Sequence, residues 1–223
     1  MSTPERPSYQ RRTAYHVTLL AAVALLCSTA LVIGDQQTRE PIEAARQRQL
    51  SEHIAEVTPA SGTAGIAPGR TVQIQHDGRS HTAWQHLEGG RVTGVALTTS
   101  EQGYGGEIRV IVGIDRQGEI LAARVLEHQE TPGLGDQIEA ERSDWIDAFE
   151  GRSLANTPPD DWAVEKDGGE FDQFTGATIT PRAVVEAIHA ALLAFETHRA
   201  RLLDPQAAPR HADPTGPEEA DHG

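Results

Sequence analysis

Three threonines, Thr175, Thr178 and Thr180, stand just ahead of a helix signal in the run Asp172-Gln173-Phe174-Thr175-Gly176-Ala177-Thr178-Ile179-Thr180. Thr180 reads as an N-cap and Pro181 as the first helical position. Val184, Val185, Ile188, Ala191, Leu192 and Phe195 then recur at helical spacing. Thr178 therefore offers a hydroxyl beside a helix N-terminus, where unpaired N–H groups and the positive end of the dipole favour a phosphate. Gly176 and Ala177 are too small to shield it. By itself the run is also what an ordinary capped helix after a glycine turn looks like.

Two upstream runs share the same economy of side chains. Gly103-Tyr104-Gly105-Gly106 precedes the strand-like Glu107–Asp115, so its glycines do not form a dinucleotide fingerprint, which a helix would follow. His128-Gln129-Glu130-Thr131-Pro132-Gly133-Leu134-Gly135 follows a strand and reads as a rigid loop. It would bring Glu130, Thr131 and backbone amides to a flat polar ring, with Leu134 on the apolar face. Gly133 and Gly135 remove side chains that would obstruct that approach.

Taken together and in this order, Gly-Tyr-Gly-Gly, Glu-Thr-Pro-Gly-Leu-Gly and Asp-x-x-Thr-Gly-Ala-Thr resemble the G subunit of the Rnf ion-translocating electron-transport complexes. They also resemble the related C subunit of the sodium-pumping NADH:quinone oxidoreductase. The resemblance covers roughly residues 15–203. It implies an α+β FMN-binding domain in which a flavin transferase joins FMN to Thr178 through a phosphoester. Asp172, Thr175, Gly176 and Ala177 would form the turn that the transferase reads, and Glu130, Thr131, Gly133, Leu134 and Gly135 would contact the ring. It further implies an electron carrier that works with other subunits of a membrane complex and turns over no substrate alone. Two other functions are compatible with the residues: a membrane-anchored binding module without a redox centre, and a flavin enzyme acting on its own small substrate.

The rest of the chain narrows the field. It has 223 residues and a net charge of -14, and no basic stripe, which argues against nucleic acid as a partner. The single cysteine, Cys27, lies in an apolar run, so Cys-ligated clusters and internal disulfides are excluded. His76, His81 and His86 are spaced oddly along their strands and do not suggest a metal site. No nucleophilic triad is evident.

Thr13–Gly34 carries no charged residue when His16 is neutral, with Arg11 and Arg12 before it and Asp35, Arg39 and Glu40 after it. This reads as a single transmembrane anchor with residues 1–12 in the cytoplasm and the remainder outside, at the inner membrane. Cleavage after Ala30, or a lipid on Cys27, are the competing readings; Leu31-Val32-Ile33 continues the apolar run past the cleavage point, and Leu26 is bulky for the position before a lipidated cysteine. Residues 35–69 read as a stalk and linker, with Pro41 suited to a helix start. Residues 70–203 read as the domain. Its strand candidates are Thr71–His76, His81–Leu87, Arg91–Thr99, Glu107–Asp115 and Glu119–Glu127, with a short helix at Ser143–Glu150 and a long one from Pro181 to Leu203. Residues 204–223, with five acids against Arg210, read as a disordered tail. A reporter that is active only outside the cytoplasm is expected to work when fused after Gly151; a silent fusion, or a mature chain beginning at Leu31, would overturn the anchor.

Overall fold

A computed structural model describes residues 8–57 and 70–208. The sequence-predicted linker ahead of Arg70 and most of the acidic tail lie outside the described residues. Helix α1 spans Ser8–Val57 without a break. Pro41, read above as a helix start, lies inside it. The residues on either side are mostly Gln, Arg, Glu and Ala, good helix formers, so the helix propagates from the apolar segment through the stalk. Tyr15–Ile33 is long and apolar enough to cross a membrane. Within it Thr29 returns its hydroxyl to the Leu25 carbonyl at 2.8 Å, which leaves no donor unpaired on that side chain.

Residues from Leu50 onward form a separate compact unit. Its centre is a five-stranded antiparallel meander in the order β1-β2-β3-β4-β5. The strands are β1 Thr71–His76, β2 Arg79–Glu88, β3 Arg91–Gln102, β4 Glu107–Asp115 and β5 Ile120–Glu127. Two-residue turns, Asp77-Gly78 and Gly89-Gly90, join the first three strands, as hairpins with twisted strands require. Between β5 and the last helix the chain makes short 3-10 turns, of which Asp144–Phe149 is the longest. The expected Ser143 cap is present: its hydroxyl accepts from Trp145 N–H at 3.0 Å, and Trp145, Ile146 and Phe149 face the core.

Helix α2, Ile179–Leu202, lies across β3 and β4. Ala183, Ala187, Ala191 and Ala194 on its buried face permit a close approach, and Thr99 of β3 donates its hydroxyl to the Ala187 carbonyl at 2.8 Å. The other face of the sheet is covered in part by the end of α1: Ile54 and Val57 pack with Ala96, Ile111 and Ala122, and Leu50, Trp84 and Leu126 border them. This explains why β4 reads as a continuous apolar run and is buried at consecutive positions from Val110 to Ile114, on both faces of the sheet. The sequence placed the start of the folded unit near Arg70, but two residues of the stalk, Ile54 and Val57, already belong to its core, and Leu50 packs against them. At the other end, the residues just after α2 are held rather than free. Gln85 donates to the Asp204 carbonyl at 2.8 Å, Arg70 donates to the Pro205 carbonyl at 2.9 Å, and Ala208 is buried.

Gly113 marks a close contact between the end of α1 and the sheet, since a Cβ there would stand 1.6 Å from the Val57 carbonyl oxygen. Gly113→Ala is therefore expected to push residues 50–57 off β4, lowering stability by about 1–3 kcal/mol and lowering Tm. Thermal unfolding of the two proteins checks this; an unchanged Tm would show that the contact contributes nothing.

Candidate functional site

The three motifs meet at one end of the sheet. The turn between β3 and β4 carries Tyr104, the loop after β5 carries Glu130 to Gly135, and the N-terminus of α2 follows Gly176, Ala177 and Thr178. They enclose an open cleft of about 330 Å³ lined by Tyr104, Glu130, Thr131, Leu134, Gly135 and the stretch from Gly176 to Thr180. Among the described residues from 50 to 208, the exposed large apolar side chains are Tyr104, Leu134, Ile179 and Leu193, and the first three of them line this cleft. Water-exposed apolar surface gathered at one concave place is the signature of a ligand site.

Glu130 holds the cleft together. Its side chain is 5% exposed, and neither oxygen is left over. Oε1 accepts from the Gly105 N–H at 2.9 Å, and Oε2 accepts a short hydrogen bond from the Thr180 hydroxyl. The sequence suggested that this carboxylate is presented to a ring; its oxygens instead clamp the Gly-Tyr-Gly-Gly turn and α2 onto the loop. The glycines are cut to this fit. A Cβ on Gly105 would stand 1.9 Å from the Gln129 carbonyl oxygen, and one on Gly135 would stand 2.9 Å from the Glu130 Cβ.

Thr180 is consequently not the helix cap. Helix α2 begins at Ile179, the capping position falls on Thr178, and that residue makes no side-chain cap bond. Thr180 is buried because its hydroxyl is drawn toward Glu130, a partner fifty residues away that local sequence cannot reveal. The Thr178 hydroxyl, in contrast, has no hydrogen-bond partner among the described residues and lies on the cleft wall. The Ile179 and Thr180 N–H groups of the first helical turn sit beside it, and Pro181 has no N–H to leave unpaired.

The turn ahead of Thr178 is anchored from below. Ala177 N–H donates to the Phe174 carbonyl at 3.2 Å, and Gly176 has φ +86°, the left-handed value that the third residue of a type II turn needs and that glycine tolerates best. Phe174 is buried edge-on against Trp145, their ring centroids 5.2 Å apart, and Trp145 donates its indole N–H to the Asp172 carbonyl at 3.0 Å. Trp145 in turn packs on Phe149, which stacks on Phe171 at 4.3 Å. The Leu134 side chain reaches over Gly176, within 3.7 Å of where a Cβ would be, so the two loops touch.

Of the residues singled out from sequence, Glu130, Thr131, Leu134, Gly135, Gly176, Ala177 and Thr178 come together around the cleft. Asp172, Thr175 and Gly133 do not line it. Asp172 and Thr175 are exposed on the approach to the turn, and Gly133 N–H is engaged by Asp136 Oδ1 at 2.8 Å. Sequence reasoning missed Thr180 and Ile179 as lining residues and passed over Tyr104, although the run containing Tyr104 was noticed.

Among the described residues, no lysine, arginine or histidine lines the cleft. The nearest cation in sequence, Arg182, grips Asp167 with two bonds of 2.7 and 3.0 Å. That contact holds the Asp167 carboxyl below its ordinary range, chiefly through the hydrogen bond, with desolvation opposing and the charge of Arg182 adding to it. Below the loop, Glu139 is likewise held low, chiefly by its hydrogen bond from His128, with burial opposing and Arg142 adding to it. The contribution of a carboxyl shifted in this direction is present above its unfolded-state pKa and is lost as pH falls through the lower folded value.

Thr180→Val removes the donor to a buried carboxylate and is expected to cost about 1–3 kcal/mol, whereas Thr180→Ser keeps the donor and should cost much less. Chemical denaturation of both variants decides this. Equal and small losses would return Thr180 to a merely local role at the helix start.

Comparison with known proteins follows the same residues. The FMN-binding domain family matches residues 103–193, from the glycine turn into α2. The G subunit of the ion-translocating oxidoreductase complex of Cereibacter sphaeroides is 45% identical over 192 residues, which cover 84% of this chain and 86% of the relative. The protein of the same description from Stutzerimonas stutzeri is 42% identical over 83% of this chain and 82% of its own length. That from Pseudomonas aeruginosa is 51% identical over 55% of this chain and 58% of its own. A solved structure, that of Shewanella oneidensis NqrC, aligns with a TM-score of 0.45 at 22% identity, covering 61% of this chain and 70% of that one. With identity at this level over most of both chains, and with the glycine turn, the Glu130 loop and the Thr178 turn all inside the matched region, the chain belongs to the G-subunit family of ion-translocating oxidoreductase complexes.

Proposed function

We propose that this protein is an electron-carrying subunit of a membrane-bound ion-translocating complex and that it holds one FMN joined to Thr178 Oγ through a phosphoester. The observation that carries this reading is the convergence of three separated motifs on one cleft whose wall bears an unpartnered threonine hydroxyl. The cleft fits the group in three respects. Tyr104, Leu134 and Ile179 offer apolar surface to a flat ring. The Ile179 and Thr180 N–H groups offer donors to a phosphate. The Thr131 side chain, on the cleft wall, offers a polar contact at the ring edge.

The lack of a cation among the described residues of the cleft favours the covalent link. A phosphate held only by two helix-terminal N–H groups, without a lysine or arginine, would exchange with solvent. A phosphoester removes that loss and leaves the ring untouched. When bound, FMN supplies the electron chemistry; the chain positions the ring, limits water at it and tunes it through contacts. Among the described residues, nothing lining the cleft can act as a base toward Thr178, because the carboxylate of Glu130 is engaged on both oxygens. Activation of the hydroxyl therefore falls to a flavin transferase and its divalent metal. Asp172 and Thr175, exposed on the approach to the turn, are placed for a second protein to read.

In this reading α1 is the anchor, the basic N-terminal residues face the cytoplasm, and the domain stands in the periplasm, where it exchanges electrons with other subunits. Protein made with a flavin transferase is expected to be yellow and heavier by one FMN. Thr178→Ala should fold, stay colourless and lack that increment, while Thr175→Ala should lower the yield of adduct without abolishing it. Intact mass and peptide mapping check both. An adduct on Thr175 or Thr180, or a fully flavinylated Thr178→Ala protein, would defeat the assignment, and colourless wild-type protein would favour a binding module without a redox centre.

A further inference from the structure

We propose that His128 is a positioning residue for the cleft: its neutral imidazole, carrying the proton on Nε2, holds the Glu130 loop in the geometry that forms the cleft wall. The tautomer follows from its two partners. The Glu130 backbone N–H lies 3.1 Å from His128 Nδ1, and a backbone N–H can only donate, so Nδ1 must keep its lone pair. On the other side Nε2 lies 2.7 Å from Glu139 Oε1, and an ionised carboxylate can only accept, so Nε2 carries the hydrogen. One protonation state satisfies both contacts.

His128 therefore grips the main chain of the same residue whose side chain closes the cleft. Glu130 is fixed at its amide by the imidazole and at its carboxylate by Gly105 N–H and the Thr180 hydroxyl. The far end of the loop belongs to the same network. Glu139 accepts from Arg142 Nε at 3.0 Å, Arg142 Nη1 lies 3.2 Å from Asp136 Oδ2, and Asp136 Oδ1 accepts from Gly133 N–H at 2.8 Å. His128, Glu139, Arg142 and Asp136 thus clasp the loop at its start and at its turn.

A second proton on the imidazole can go only to Nδ1. It would set an N–H against the Glu130 N–H and remove that amide's acceptor, while the bond to Glu139 would persist. The charged groups around His128 are Glu139, with Arg142 and Asp136 behind it, Glu130 on the loop itself, and the Glu127–Arg109 ion pair at the strand ends. Glu139 stays ionised through the range in which imidazoles titrate, because its carboxyl is held below the ordinary value. Protonation at Nδ1 would therefore take the acceptor from the Glu130 amide and loosen the wall of the cleft, while the contact with Glu139 stays.

The optical half of the test rests on the flavin reading above, and the exchange half does not. In flavinylated protein, visible circular dichroism is recorded between about pH 8 and about pH 5, the range in which an imidazole gains its second proton. The wild type should pass through one transition. His128→Asn keeps an acceptor for Glu130 N–H and cannot be protonated, so it should retain the high-pH spectrum throughout. His128→Lys has a cation and no acceptor, so it should show the low-pH spectrum from the start. In colourless Thr178→Ala protein, exchange of the Glu130 amide, corrected for its intrinsic pH dependence, should be about tenfold faster at the acid end, and His128→Asn should abolish that change. A His128→Asn protein that titrates like the wild type, or Glu130 protection indifferent to pH, would overturn the proposal. Should the protein take up no flavin, the flavin reading fails while the exchange experiment still judges His128, and it does so even where His128→Lys does not fold.

Discussion

The buried carboxylate of Glu130 is the constraint to which the rest of the domain conforms. A charge withdrawn from water is costly unless every lone pair that matters is matched by a donor. Here the donors come from two distant places in the chain, the Gly105 amide and the Thr180 hydroxyl. Meeting that requirement brings the β3–β4 turn and the N-terminus of α2 onto the loop after β5. The small residues around it follow from the same need. Gly103 leaves room for Glu130 Oε1, which a Cβ would approach to 2.5 Å, and Gly135 leaves room for Thr180 Oγ1, which a Cβ would approach to 3.0 Å. Glycines that look in sequence like an invitation to a ligand are thus committed first to a side chain of the protein itself, and the cleft is what remains in front of that clamp.

The clamp needs a rigid frame, and two unlike kinds of packing supply it. Helix α2 is laid on β3 and β4 by alanines and held in register by the Thr99–Ala187 bond, which fixes where its N-terminus ends. The turn that leads into it has no regular structure of its own. It is held by aromatic rings instead, from Phe174 through Trp145 and Phe149 to Phe171 and Trp162. Large planar side chains bury much area with few torsions to freeze, so they can order an irregular segment rich in Gly, Asp and Pro. The same segment carries half-buried Glu139 and exposed Glu170 and Asp167, paired to Arg142, Arg152 and Arg182, which contribute to its surface without lining the cleft.

The parts legible in the sequence were those set by local rules. Alternation, β-branched residues and Asp-Gly or Gly-Gly turns located all five strands to within three residues at either end, and the Ser143 cap and its buried face were read as they stand. The cleft was legible as three motifs, but their meeting was visible only through the family they resemble. What escaped was set by partners far away in the chain. Thr180 followed by proline has every local mark of a cap, and a carboxylate fifty residues upstream outweighs it. Leu50, Ile54 and Val57 look like stray apolar residues in a polar stalk until the uncovered face of β4 is taken into account. Asp204 and Pro205 look like the start of a solvated tail, yet their carbonyls satisfy Gln85 and Arg70.

The distribution of charge gives the proposed attachment its physical logic. A domain this acidic attracts no phosphate at long range, and the arginines closest to the site are committed to Asp167, Glu139 and Asp136. Among the described residues, the positive element that faces the cleft is the end of α2, whose influence is confined to its first turn. Such a site can orient a phosphate that is already tethered but would hold a free one poorly. Division of labour follows from this. Retention would rest on one covalent bond at Thr178, made by another protein, and the loop from Glu130 to Gly135 would be left to act on the ring. In that arrangement changes at the loop alter what the group does without releasing it, which is what a relay that must be neither lost nor misplaced requires.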